Sequence, residues 1–110
     1  MDYQESAIYE NLKEIARQKS LTNYDEIGKL VGLNMASEYD RIRIAQILDK
    51  INQLEVACGR PMITALVILK NKNMPGKGFF DCATKLGKYD GADDDLFWST
   101  EVARVYSYWG

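Results

Sequence analysis

Histidine does not occur anywhere in the 110 residues. Its absence removes the side chain used most often for proton transfer near neutrality, and the commonest zinc ligand, so most hydrolase chemistry is set aside. Cysteine is scarce as well. Cys58 and Cys82 are the only two and form no CxxC pair, which indicates neither a disulfide framework nor a zinc site. Both are expected as buried free thiols. An excess of one charge is also missing: 14 Lys and Arg stand against 16 Asp and Glu, a formal charge of -2. A uniformly basic nucleic-acid coat is thereby excluded, whereas a local basic patch is not. The longest apolar run, Ala65 to Leu69, is far below membrane-spanning length, and Met1 to Glu5 lacks the basic and apolar regions of a secretion signal. A cytoplasmic location with no membrane partner is the expectation. No repeat, low-complexity tract or Pro/Ser-rich linker divides the chain, so residues 1–110 are expected to form a single domain.

What the chain does have is periodic apolar patterning with clear punctuation. Ile8, Leu12 and Ile15 fall at helical spacing and predict an amphipathic helix over 5–18. Asn23 is placed to cap a short helix from Tyr24 to Val31, with Asp25 and Glu26 at its positive end and Gly32 at its C-terminal turn. Ser37 and Asp40 have capping-box spacing ahead of Tyr39, Ile42, Ala45, Leu48 and Ile51, which predicts a helix over 38–57 closed by Gly59-Arg60-Pro61. Ile63 to Leu69 reads as the one clear strand, buried on both faces. Lys70 to Lys77, with Asn71, Asn73 and Pro75-Gly76, reads as a projecting loop, followed by a short helix carrying Phe79, Ala83 and Leu86 and ended by Gly87. Trp98, Val102, Val105 and Trp109 then define a last helix whose stripe is expected to close the core. The fold class expected is α+β, mostly helical and winged-helix-like.

In a winged helix-turn-helix plan, the helix at 24–31 braces the helix at 38–57, whose first turns enter the DNA major groove while the following loop touches backbone. Glu38, Asp40, Arg41, Arg43 and Gln46 are placed near that groove, and the two acids among them face phosphate repulsion. The stretch Tyr24-Asp25-Glu26-Ile27-Gly28-Lys29-Leu30-Val31-Gly32, followed by an Arg-bearing helix, a Pro-led strand and a turn, resembles the winged-helix half of alkylguanine-DNA alkyltransferases and alkyltransferase-like proteins over roughly residues 20–87. The resemblance implies a fold plan and a DNA partner. It does not imply alkyl transfer, because Pro61-Met62-Ile63-Thr64 stands where those enzymes have Pro-Cys-His-Arg, and neither Arg41 nor Arg43 falls cleanly on their groove-facing arginine. Gly59-Arg60-Pro61, Ala65-Leu66-Val67, Pro75-Gly76-Lys77-Gly78-Phe79-Phe80 and the ending Phe97-Trp98 to Val105-Tyr106 also look like an uncharacterised family of small bacterial and phage proteins, which implies no activity.

Charge is segregated along the second half. Residues 70–88 hold five lysines and one aspartate, whereas residues 89–101 hold four aspartates and one glutamate. Pro75-Gly76-Lys77-Gly78 lacks the Gly, Lys and Ser/Thr spacing of a P-loop and reads as a turn leading into a helix. Asp93, Asp94 and Asp95 lack the alternation and Gly of a calcium loop and read as a helix-capping segment, so no metal or other cofactor is expected. The expected function is non-enzymatic DNA binding through Arg41, Arg43 and Gln46 on the helix and Lys70, Lys72 and Lys77 on the loop. The alternative is a protein-interaction module, a small regulator or inhibitor or a homodimer, that uses its acidic or aromatic surface, including Tyr106 to Trp109.

Overall fold

The computed structural model describes residues 1–110. Helix α1 spans Tyr3–Arg17, two residues earlier than the apolar period alone suggests. The reason is a reciprocal cap: the Asp2 carboxylate accepts the Glu5 N–H at 2.9 Å while the Asp2 N–H donates to Glu5 Oε1 at 2.7 Å. Ile8, Leu12 and Ala16 form its fully buried stripe. A two-residue strand β1, Thr22–Asn23, leads into α2, Tyr24–Leu30, and Asn23 Oδ1 accepts the Glu26 N–H as the predicted cap. Gly32 then turns the chain at φ +77. Helix α3 runs over Glu38–Ala57, the predicted bounds, with the Ser37 hydroxyl accepting the Asp40 N–H at 3.3 Å, but of the predicted stripe only Leu48 and Ile51 are buried, joined by Ile44 and Ile47, while Tyr39, Ile42 and Ala45 are exposed.

The expected strand over 63–69 is mostly something else. Ile63–Leu66 is a 3-10 turn, and only Val67–Ile68 is a strand, β2, paired in parallel with β1 in the register Thr22 to Val67 and Asn23 to Ile68. Four consecutive buried residues, Ile63 to Leu66, satisfy a two-faced strand and a buried turn equally well by pattern. What decides is where the backbone finds partners. Glu101 Oε2 accepts the Met62 N–H at 3.0 Å, and the Trp98 indole N–H donates to the Ala65 carbonyl at 2.8 Å. Side chains from the last helix thus do the work of a neighbouring strand.

After β2, the Leu69 N–H donates to the Met74 carbonyl at 2.7 Å, and the Leu69 carbonyl accepts from Lys72 and Asn73. The projecting turn is therefore short, and Lys77, expected in the loop, is instead the first residue of α4, Lys77–Lys85. Helix α5 spans Asp94–Trp109, capped by Asp93 through the Leu96 N–H at 3.1 Å. No helix is long and apolar enough to cross a membrane.

The core has two parts. The larger joins Ile8 and Leu12 of α1, Ile27 of α2, Ile44, Ile47 and Ile51 of α3, Leu66 and Val67, and Val105 of α5. The smaller packs Met62, Ala65, Phe79 and Ala83 under Trp98, Phe97 and Tyr89. The stripe on α5 bridges both: Val105 is fully buried, whereas Trp98, Val102 and Trp109 are half-buried along the seam. Cys82 is buried as expected, but Cys58 is exposed because it lies at the C-cap of α3, where the chain leaves the core for the Gly59 turn. Glu55, fully buried on α3, accepts the Tyr9 hydroxyl and the Arg60 Nε–H on one oxygen, and its second oxygen has no hydrogen-bond partner.

Candidate functional site

A groove of about 380 Å³ lies between α2, the first two-thirds of α3, the turn after β2 and the start of α4. Ile44, Leu48, Ile68, Leu69 and Phe79 make its apolar floor. Two long-range contacts hold its walls. The Gly76 N–H donates to the Tyr24 hydroxyl at 2.9 Å, tying the entry of α4 to α2. A Cβ on Gly76 would sit 3.2 Å from that same hydroxyl oxygen, so glycine is what lets the two segments approach. Burial raises the Tyr24 hydroxyl above its usual range, which keeps it protonated. At the other end, Asn52 is 1% exposed; its oxygen accepts the Thr64 hydroxyl at 2.7 Å and its amide faces the Cys82 sulfur at 3.9 Å. Burial first, and then the Asp49 carboxylate, push the Cys82 thiol up, so the sulfur beneath the groove is a protonated packing group and a poor nucleophile.

Of the six residues expected to contact DNA, the groove brings two together. Arg41, in the first turns of α3, lines it and is exposed, with one guanidinium N–H on the Met35 carbonyl at 2.8 Å. Lys70 lines it from the opposite side and pairs with Asp25 at 3.2 Å. Lys72 and Lys77 are exposed just beyond, and neither forms an ion pair. Gln46 is exposed but does not line the groove. Arg43 is turned to α1, where its Nη2 donates to Asp2 and its Nε donates to Gln4 Oε1 at 2.9 Å. Residues two apart on a helix point to nearly opposite sides, which is why Arg41 and Arg43 serve different neighbours.

Tyr24, Asn52 and Thr64 were not legible as site residues. The one available signal was Asn52, a polar residue between Ile51 and Leu54 on the otherwise apolar-periodic stretch of α3. The acidic segment is occupied with local structure: Asp93 caps α5, Asp90 accepts the Ala92 N–H at 2.9 Å, and Asp94 accepts the Tyr89 hydroxyl. No group of three or more Cys, Asp or Glu side chains is arranged to hold a metal ion. No protein-family model, curated protein or solved structure matches the chain.

Proposed function

We propose that the chain is a non-enzymatic DNA-binding domain of winged-helix-like plan, which docks the first turns of α3 and the segment from Lys70 to Lys77 against a duplex. The observation that carries this reading is the convergence of Arg41 and Lys70 on one groove, with Lys72 and Lys77 exposed and unpaired at its edge. The order α2, α3, β2 and a turn is the one that plan calls for, and it supports the reading. Arg43 is left out of the interface because its guanidinium is turned to α1, where Asp2 and Gln4 hold it.

Lys70 is paired with Asp25, so Arg41, Lys72 and Lys77 are the cations without a carboxylate partner. Three neutralised phosphates give a log-log salt slope of about -2.7. Fluorescence anisotropy of a labelled duplex across a salt series tests this, with the Lys72→Ala, Lys77→Ala double variant expected to reduce the slope by about 1.8. Absence of binding at low salt, or a slope unchanged in the double variant, overturns the reading.

The second reading is a protein-interaction module. It is favoured by Tyr39 and Ile42 on α3, which are 83% and 53% exposed. Large apolar side chains at that position are typical of protein contacts and contribute little to phosphate binding. Mass measurement by light scattering across a concentration series separates self-association through this face from a monomer.

A further inference from the structure

At the far end of α3 from Arg41, about 24 Å of helix away at ~1.5 Å per residue, lies a second depression, of about 510 Å³, whose character is polar. Arg60, Lys88 and Arg104 line it together with the hydroxyl-bearing Ser107 and Tyr108, and no carboxylate is among its lining residues. The three cations come from separate elements: Arg60 from the turn after α3, Lys88 from the turn after α4, and Arg104 from α5. Their convergence is thus a product of the fold.

Two of the three are held in place from behind. Arg60 donates its Nε–H to the fully buried Glu55 at 2.9 Å and lies 6.0 Å from the Trp109 ring centroid. Arg104 donates from Nη1 to Glu101, 1% exposed, at 3.3 Å. A guanidinium has five N–H donors, so each arginine keeps four after this contact. Lys88 forms no ion pair and contributes a whole ammonium. Anchoring an arginine by a buried carboxylate fixes its fork before any ligand arrives, which lowers the ordering cost of binding.

We propose that this depression binds the phosphate group of a small phosphomonoester. The donors outnumber what a two-oxygen monoanionic carboxylate uses, and forked guanidiniums match a tetrahedral group with three terminal oxygens. A phosphomonoester near neutral pH carries about -1.5 to -2 charges, more than a diester carries. The depression is separate from the groove between α2 and α3 and does not depend on DNA binding there.

The probe is phenyl phosphate, titrated into the full chain at constant ionic strength and followed by amide chemical shifts and calorimetry, with dimethyl phosphate as the diester comparison. Saturable binding is expected, with shifts confined to Gly59, Arg60, Lys88 and Arg104 to Tyr108. Lys88→Ala removes no intramolecular ion pair, so it should fold normally and weaken binding about tenfold, as loss of one charge-assisted contact implies. Arg104→Lys keeps the charge beside Glu101 and loses the fork, and it should weaken binding severalfold. Lys72→Ala, which lies outside the depression, should leave phenyl phosphate binding unchanged. The proposal is overturned by absence of saturation, by dimethyl phosphate binding equally well, or by equal loss in Lys72→Ala and Lys88→Ala. It is overturned as well if Lys88→Ala weakens duplex binding and phenyl phosphate shows no binding of its own, because the cations would then belong to a nucleic-acid footprint.

Discussion

Replacing Glu55 probes the link between α1, α3 and the Arg60 turn, because a single carboxylate oxygen there accepts from both Tyr9 and Arg60. Glu55→Ala leaves the Tyr9 hydroxyl inside the protein and Arg60, 21% exposed, without a counter-charge. Removing one member of a buried pair costs about 3–5 kcal/mol, a large share of a domain stability of about 5–15 kcal/mol. Glu55→Gln is the informative contrast. It keeps one acceptor oxygen and puts an amide where the unpartnered oxygen now sits. The bond from Tyr9 drops from a charge-assisted one of about 1.5–3 kcal/mol to a neutral one of about 0.5–1.5, while the bond from Arg60 keeps its cationic donor and loses the ion pair, together a loss of roughly 2 kcal/mol. Relief from burying a charge offsets part of this, so a net cost of about 1–2 kcal/mol is expected. Urea denaturation followed by fluorescence of Trp98 and Trp109 measures both variants. If Glu55→Ala lies within about 1 kcal/mol of the parent, the carboxylate does not link these elements and the reasoning fails.

Arg43→Ala should lower stability by about 0.5–1 kcal/mol by releasing Asp2 and Gln4 and leave duplex affinity unchanged, whereas Arg41→Ala should do the reverse; thermal melts and anisotropy read the two effects. Trp98→Phe keeps an aromatic ring, though a smaller one, and orphans the Ala65 carbonyl, at about 1–3 kcal/mol in denaturation, and truncation before Trp98 should abolish the cooperative transition because it removes Val105 and the Glu101 contact to Met62. Asp2 is held below its usual 3.8, chiefly by the Glu5 N–H and also by Arg43. Its stabilising effect is therefore complete above that value and lost as pH falls through the depressed one. The Glu5 amide shift should follow this titration, and Asp2→Asn should flatten it while keeping the cap.

Local signals carried much of the fold. Asn23 and Ser37 mark helix starts through backbone bonds to residues three positions on, so α2 and α3 are legible without tertiary information. Ile63 to Leu66 is misread because its partners, Glu101 and Trp98, lie more than 30 residues away and supply the bonds a strand would otherwise find in a sheet. The same limit hides the groove. Tyr24 meets Gly76 across 52 residues, and Arg43 meets Asp2 across 41. Charge counting identified the lysines around 70–77 but gave no means of telling Lys70, paired with Asp25, from the unpaired Lys72 and Lys77. Arg60 was legible as part of a turn, and its convergence with Lys88 and Arg104 appears only once α5 packs beside the turn after α3.

Amide chemical-shift mapping of the full chain against a labelled duplex at low salt tests the central claim most directly. Binding through the α2–α3 groove predicts shifts concentrated at Met35 to Ala45 and Leu69 to Gly78, with broadening that reverses on adding salt. Shifts centred instead on α5 or on Arg60, Lys88 and Arg104, or none at all, would contradict it.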